Sequence, residues 1–257
     1  MDKNTKKTTP WIEGHDLWAA FSLLTRLPVP VDHDRAGARA AQAIWAYPLV
    51  GAVVSALGVG IVFGLWGLGV PPLAAALCGL MGTILITGAL HEDGLADCAD
   101  GLMGGATAER RLEIMRDSQV GSYGALALVC SVGLRAVCLA SLVPQGLWGA
   151  IVVGALSRGA LVAVAVGVRD ARDSGLGAGF GRPSGPALGL CAGLCVLAAL
   201  GLGPLSALAV LLAGGTAAAA LALCAQRLIG GRTGDVLGGT QQMFEMAGLL
   251  ALTALWS

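Results

Sequence analysis

From about residue 43 to the C-terminus the chain alternates long apolar runs with short polar interruptions. An α-helix rises 1.5 Å per residue, so crossing a ~30 Å hydrocarbon core takes about 20 apolar residues. Seven runs are close to that length: about 43–69, 71–90, 122–143, 147–168, 186–203, 204–225 and 236–256. Gly-Pro turns or charged loops separate most of them. Hardly any run has a polar face to show water, which argues against a large soluble helical protein. The pattern predicts an all-α, polytopic integral membrane helical bundle of about seven transmembrane helices. Residues 1–42 read as a cytoplasmic or interfacial segment, and 43–257 as the transmembrane domain.

Composition agrees. Charged residues are 12% of the chain, against roughly 25% in soluble domains, and hydrophobic residues are 56%. The 40 glycines suit close helix packing in lipid, where small residues let backbones approach. Seven cysteines, mostly inside apolar runs, form neither a disulfide framework nor a zinc spacing. Cys191 and Cys195 share a helix face and read as small packing residues. The first fifteen residues hold no apolar core, so no cleavable signal peptide is expected. The stretch "HDLWAAFSLLTRLPVP" is amphipathic and too short to span. It is expected on the cytoplasmic surface or against the bundle.

Charge adds orientation. Lys3, Lys6, Lys7, Arg26, Arg35 and Arg39 precede the first run. Arg110, Arg111, Arg116, Arg169, Arg172, Arg182, Arg227 and Arg232 lie in alternate loops. Fourteen of the sixteen basic residues thus fall on one side, which the positive-inside rule makes cytoplasmic. The N-terminus is therefore expected inside and the C-terminus outside. The acids follow the same sidedness, and only Glu245 falls well inside an apolar run. Any chemistry is expected to face the cytoplasm of a multi-pass protein in the cell inner membrane.

The chemistry-bearing stretch is "HEDGLADCADGLMGG", residues 91–105. Asp93, Asp97 and Asp100 are spaced i, i+4, i+7 and share one helix face. Such aspartates repel one another unless a cation neutralises them. Hard oxygen donors at this density suit Mg²⁺ or Mn²⁺, with waters and substrate phosphates completing the shell. The alternative is a solvated acidic helix end. A second constellation, "GGRTGDVLGGTQQMFEMAGLL", places Thr233 and Asp235 at the mouth of the last run, with Gln241, Gln242 and Glu245 deeper. Its glycines can bring backbone N–H groups close to a phosphate. Intramembrane polar residues are functional candidates by default, although an interhelical clamp explains them too. Arg135 and Arg158 lie within runs, where binding a substrate phosphate and pairing with an acid are equally open. Asp117 and Gln119 precede the third run. The glycine-rich loop 169–186 reads as a mobile cover over a bound substrate.

The stretches "LLTRLPVP", "HEDGLADCADGL", "RRLEIMRDSQVGSYG", "SRGALV" and "GRTGDVLGGTQQMFE", in this order, resemble the cobalamin synthase family of adenosylcobinamide-GDP ribazoletransferases. The resemblance implies Mg²⁺-dependent membrane enzymes of cobalamin biosynthesis, with the catalytic domain at 43–257. They join GDP-activated adenosylcobinamide to α-ribazole or its 5′-phosphate, release GMP and leave adenosylcobalamin or its phosphate. Displacement at a diphosphate needs charge neutralised and groups held in line, which two metal ions on shared carboxylates can supply. On that basis Glu92, Asp93, Asp97, Asp100, Asp117 and Asp235 are expected as metal ligands. One of Asp97, Asp100 or His91 is expected to take the hydroxyl proton. Arg110, Arg116, Gln119, Arg158, Thr233 and Gln242 are the candidate substrate contacts. Lipid surrounds the protein, no nucleic acid is expected, and a homo-oligomer or association with pathway enzymes stays open. Two other readings remain. A CDP-alcohol phosphotransferase-like enzyme shares the mechanism, but the Ala-Arg pair expected after its Asp-Gly is missing here. A divalent cation transporter favours polar groups at mid-bilayer, whereas most carboxylates here lie at one mouth.

Overall fold

The computed structural model describes residues 11–172 and 181–256. Of the residues named above, Lys3, Lys6 and Lys7 lie outside that range, as do residues 173–180 of the proposed covering loop. The helices are α1 (Gly14–Leu24), α2 (His33–Ala38), α3 (Tyr47–Gly67), α4 (Pro72–Thr87), α5 (Leu90–Gly104) and α6 (Ala108–Ile114). They continue with α7 (Ser122–Leu142), α8 (Trp148–Gly167), α9 (Gly185–Leu200), α10 (Pro204–Ile229) and α11 (Gly234–Trp256). Among the described residues the only β pairing is one isolated bridge, Asp170 to Arg232. The protein is an all-α bundle with a membrane protein's apolar helices.

Among the described residues, four helical segments are long and apolar enough to cross a bilayer: Ala43–Gly67, Ser122–Gln145, Trp148–Gly167 and Pro204–Ile229. A fifth arises if α4 and α5 count as one bent span. The expected seven is therefore not reached by length and hydropathy alone. The run 186–203 forms a helix of only 16 residues. The run 236–256 lies in α11, which is long enough but carries Asp235, Thr240, Gln241, Gln242 and Glu245.

The α4–α5 break has a local cause. Gly88 ends α4 in the left-handed region (φ 64°), and Ala89 follows at φ 59°. For alanine that conformation is strained, since its Cβ crowds the carbonyl. The two residues turn the chain by 91°, so α5 leaves the direction of the α4 span. The "LLTRLPVP" stretch braces this corner. Arg26 N–H donates to the Ile86 carbonyl at 2.7 Å, and the Arg26 side chain lies where a Gly88 side chain would begin.

Inside, α11 packs against α5, α7, α8 and α10, and α3 packs against α4 and α8. Small residues set the closest crossings. A Cβ on Gly51 would lie 2.3 Å from the Gly154 carbonyl oxygen, which joins α3 to α8 at backbone contact. The N-terminal segment is tied down by a buried pair. Asp16, fully buried in α1, takes Arg39 Nε at 2.7 Å and Nη2 at 2.8 Å. α1 nevertheless leaves Trp18 and Leu23 exposed, as is Trp11 just before it.

Candidate active site

The helical register predicted for the aspartates is present: α5 runs unbroken from Leu90 to Gly104. Along it Asp93 is exposed, Asp97 is half-buried and Asp100 is buried. The face thus descends from solvent towards the N-terminus of α7. Asp100 is fully engaged there. Its Oδ2 accepts from Gly121 N–H at 2.8 Å and its Oδ1 from Gly124 N–H at 2.9 Å. These are unpaired first-turn donors of α7, and a carboxylate also suits that end of the helix dipole. A Cβ on Gly124 would lie 2.2 Å from Asp100 Oδ2, so glycine is what admits the cap.

The partner of Asp93 and Asp97 comes from the far end of the chain. α5 and α11 cross at Gly94 and Gly238, where a Cβ on Gly94 would sit 2.7 Å from the Asp235 carbonyl oxygen. Thr233 caps α11, its hydroxyl taking Val236 N–H at 3.3 Å and contacting Asp235 Oδ2 at 3.1 Å. The crossing brings Asp235 against the acidic face of α5. Burial and repulsion from Asp93, Asp235 and Asp100 push the Asp97 carboxyl up to about 7, with Arg172 opposing. Burial also raises Asp235, against the Thr233 hydroxyl and Arg172.

Arg172 is a site residue that the sequence did not single out as a ligand-binding group. Backbone bonds hold its segment against the start of α11: Ala171 N–H to the Arg232 carbonyl at 2.9 Å, and Arg232 N–H to the Arg169 carbonyl at 2.8 Å. The Arg232–Asp170 ion pair, at 2.9 Å, locks the same junction. Arg172 Nη2 donates to the Leu112 carbonyl at 3.0 Å, and its buried Nε has no partner among the described residues. Its neighbours in charge are Asp235, Arg116 and Asp97. No sequence signal marked it, because the pairing of 169–171 with 231–232 spans sixty residues.

The other expected contacts are dispersed. Arg110 is exposed and pairs with Glu113 at 3.0 Å. Arg116 is exposed beside Arg172. Asp117 accepts from Gln119 N–H at 3.1 Å in an exposed turn between α6 and α7. Glu92, His91, Arg158 and Gln242 turn inward instead. Glu92 Oε1 accepts from Arg135 Nη2 and Gln242 Nε2, each at 3.0 Å. Glu245 takes Arg135 at 3.3 Å and Arg158 at 3.0 Å through separate oxygens. Ser131 donates to Gln242, and Gln241 donates to Ser157, both at 3.0 Å. This network ties α5, α7, α8 and α11 together. In it both of the arginines that lie within apolar runs pair with acids. Arg158 and Gln242 are thus held in the interior, apart from the aspartates they were expected to serve.

The donor set fits a divalent cation in a limited way. Among the described residues no three His, Cys, Asp or Glu side chains converge tightly enough to enclose an ion. Mg²⁺ does not need a full protein cage, since it keeps several waters and takes one or two carboxylates plus substrate phosphates. Asp93, Asp97 and Asp235 supply hard oxygens whose mutual repulsion a cation would relieve. Glu92 and Asp100, two of the six expected ligands, are committed to Arg135 and to the α7 cap.

Comparison with known proteins places this site in context. The family model described as cobalamin-5-phosphate synthase matches residues 16–253. A Bradyrhizobium diazoefficiens protein named adenosylcobinamide-GDP ribazoletransferase is 44% identical over 243 residues, covering 93% of each chain. Relatives of the same name from Mesorhizobium japonicum (43% identical, 94% of each chain) and Rhizobium johnstonii (41%, 93% of this chain and 97% of the relative) match as fully. No solved structure matches. Both aspartate segments and the glycine crossing between them fall inside the matched range, and the chain belongs to the cobalamin-5-phosphate synthase family.

Proposed function

We propose that this protein is an adenosylcobinamide-GDP ribazoletransferase, a membrane enzyme that joins GDP-activated adenosylcobinamide to α-ribazole or its 5′-phosphate. The ribazole hydroxyl attacks the corrinoid-side phosphorus, the bond to the bridging oxygen breaks, and GMP departs with that oxygen. The observation that carries the reading is the meeting of Asp93 and Asp97 with Asp235 across the Gly94–Gly238 crossing, in a chain of this family.

Asp93 and Asp235 would hold Mg²⁺, which when bound supplies charge neutralisation at the diphosphate. Asp97, the third carboxylate, accepts the hydroxyl proton. Of the three candidates for that role, Asp100 spends both oxygens on α7 and His91 faces the interior. Arg172 and Arg116 hold phosphate oxygens, because a planar guanidinium fork matches that geometry. Leu112, through its carbonyl, keeps the Arg172 head over the aspartates rather than free in solvent. The site faces the cytoplasm, with α1 lying at the membrane surface through Trp11, Trp18 and Leu23.

The decisive assay is GMP release by purified protein given both substrates, with and without Mg²⁺. Release that needs both substrates and the metal supports the reading, and release indifferent to ribazole would overturn it. Sidedness has its own test: a cysteine at exposed Met103 should react with an impermeant reagent only from the cytoplasmic side. Native Cys98, 1% exposed, is too buried to report.

A further inference from the structure

Lined by α3, α4, α5, α7, α8 and α11 is a chamber of about 40 Å³. Its polar lining is His91, Glu92, Arg135, Arg158, Gln242 and Glu245, and its apolar walls include Leu80, Leu139 and Leu249. Protein contacts satisfy much of this lining, as described above. Four buried atoms find no partner among the described residues: both ring nitrogens of His91, Oε2 of Glu92 and Nε of Arg158. The three residues are only 1%, 6% and 4% exposed. A buried polar atom left unmet costs about 1–3 kcal/mol, and native proteins almost always meet it with protein or ordered water.

We infer that this chamber is a binding site for two or three ordered water molecules, which link His91 and Glu92 of α5 to Arg158 of α8. Size bounds the number, since each water needs about 10–15 Å³ measured this way, leaving room for roughly three to four. The chemistry of the lining selects water over an ion. Neutral His91 offers one donor and one acceptor, Glu92 Oε2 accepts, and Arg158 Nε donates. The unmet set is therefore balanced between donors and acceptors. A cation would face Arg135 and Arg158, and an anion would face Glu92 and Glu245. These four charges already sum to zero, so neither ion gains. Water alone satisfies both kinds of atom. Glu92 attaches α5 directly to α7 through the Arg135 ion pair and to α11 through the Gln242 amide, and the waters extend that attachment to α8. This inference does not depend on the reaction proposed above.

Hydroxyl-radical labelling of the detergent-solubilised full chain tests it, because radicals made from bound water oxidise the side chains beside it. Leu80 and Leu249 border the chamber and are 3% and 2% exposed. Leu147 and Leu252 belong to the same apolar core, are 0% exposed and do not line it. Leu80 and Leu249 should be oxidised several-fold more than Leu147 and Leu252, and equal labelling would overturn the proposal. His91→Leu removes two of the four unmet atoms and should bring Leu249 labelling down towards that of Leu252. If that variant does not fold, the wild-type comparison decides alone. A high-resolution map should show two or three peaks within hydrogen-bond reach of His91, Glu92 and Arg158. A single peak replaced on soaking in bromide or rubidium would mean an ion and would also sink the proposal.

Discussion

Two charged regions lie on either side of the first turn of α5, and they are built on opposite principles. The interior region sets Glu92 and Glu245 against Arg135 and Arg158, each acid paired within 3.3 Å. Its charges cancel inside the protein, and it holds four helices together. The mouth region gathers Asp93, Asp97 and Asp235 near Arg172 and Arg116, without a direct ion pair to any of the three acids among the described residues. Its charges wait for something from outside. One helix serves both because consecutive residues of an α-helix point about 100° apart, so Glu92 and Asp93 enter different surroundings. Balanced charge in the interior marks structure, and unbalanced charge at the accessible mouth is where the proposed binding site lies.

The sharpest way to break this contrast is to unbalance the interior. Glu245→Leu leaves two buried guanidiniums short of a partner and should destabilise the protein by about 3–5 kcal/mol, the usual cost of breaking a buried pair. Thermal unfolding in detergent measures it, and an unchanged midpoint would remove the distinction. Next in size is the mouth. Asp93→Asn should lower turnover by roughly 100- to 1000-fold, the scale for losing one electrostatic contact at a reacting centre. Its unfolding midpoint should stay where it is, and GMP release together with a melt reads both quantities.

Asp100 belongs to neither region, which makes it a useful intermediate. Asp100→Ala removes a charged acceptor from two α7 amides and should cost about 2 kcal/mol in stability. Increased hydrogen exchange at Gly121 and Gly124 would localise that loss.

The smallest effect has the opposite sign. The Asp97 carboxyl is raised from 3.8 to about 7 in the folded protein, so ionising it disfavours folding. Metal-free protein is therefore most favoured by this group below pH 4, and that contribution is lost as pH climbs to 7. Asp97→Asn should consequently stabilise the metal-free protein above pH 7, by about 1 kcal/mol after solvent screening. Saturating Mg²⁺ should erase the gain, and a destabilised variant at pH 8 would show that the carboxylates are not in conflict.

Much of this molecule was legible in its residues. The apolar runs at helical length determined an all-α membrane bundle, and the i, i+4, i+7 spacing of Asp93, Asp97 and Asp100 determined the register that α5 adopts. Local rules suffice there, because periodicity and hydropathy act on neighbours in the chain. Which polar residues work together could not be read that way. Asp235 meets Asp97 only because Gly94 and Gly238 let two distant helices touch, and Arg172 joins them through a backbone pairing with residues 231–232. The same holds for the sorting of Glu92 inward and Asp93 outward, and for the capture of Arg158 by Glu245. Each depends on which helix packs against which face. Tertiary packing alone decides that, because the free energy of a charge depends on the neighbours and solvent the fold brings to it.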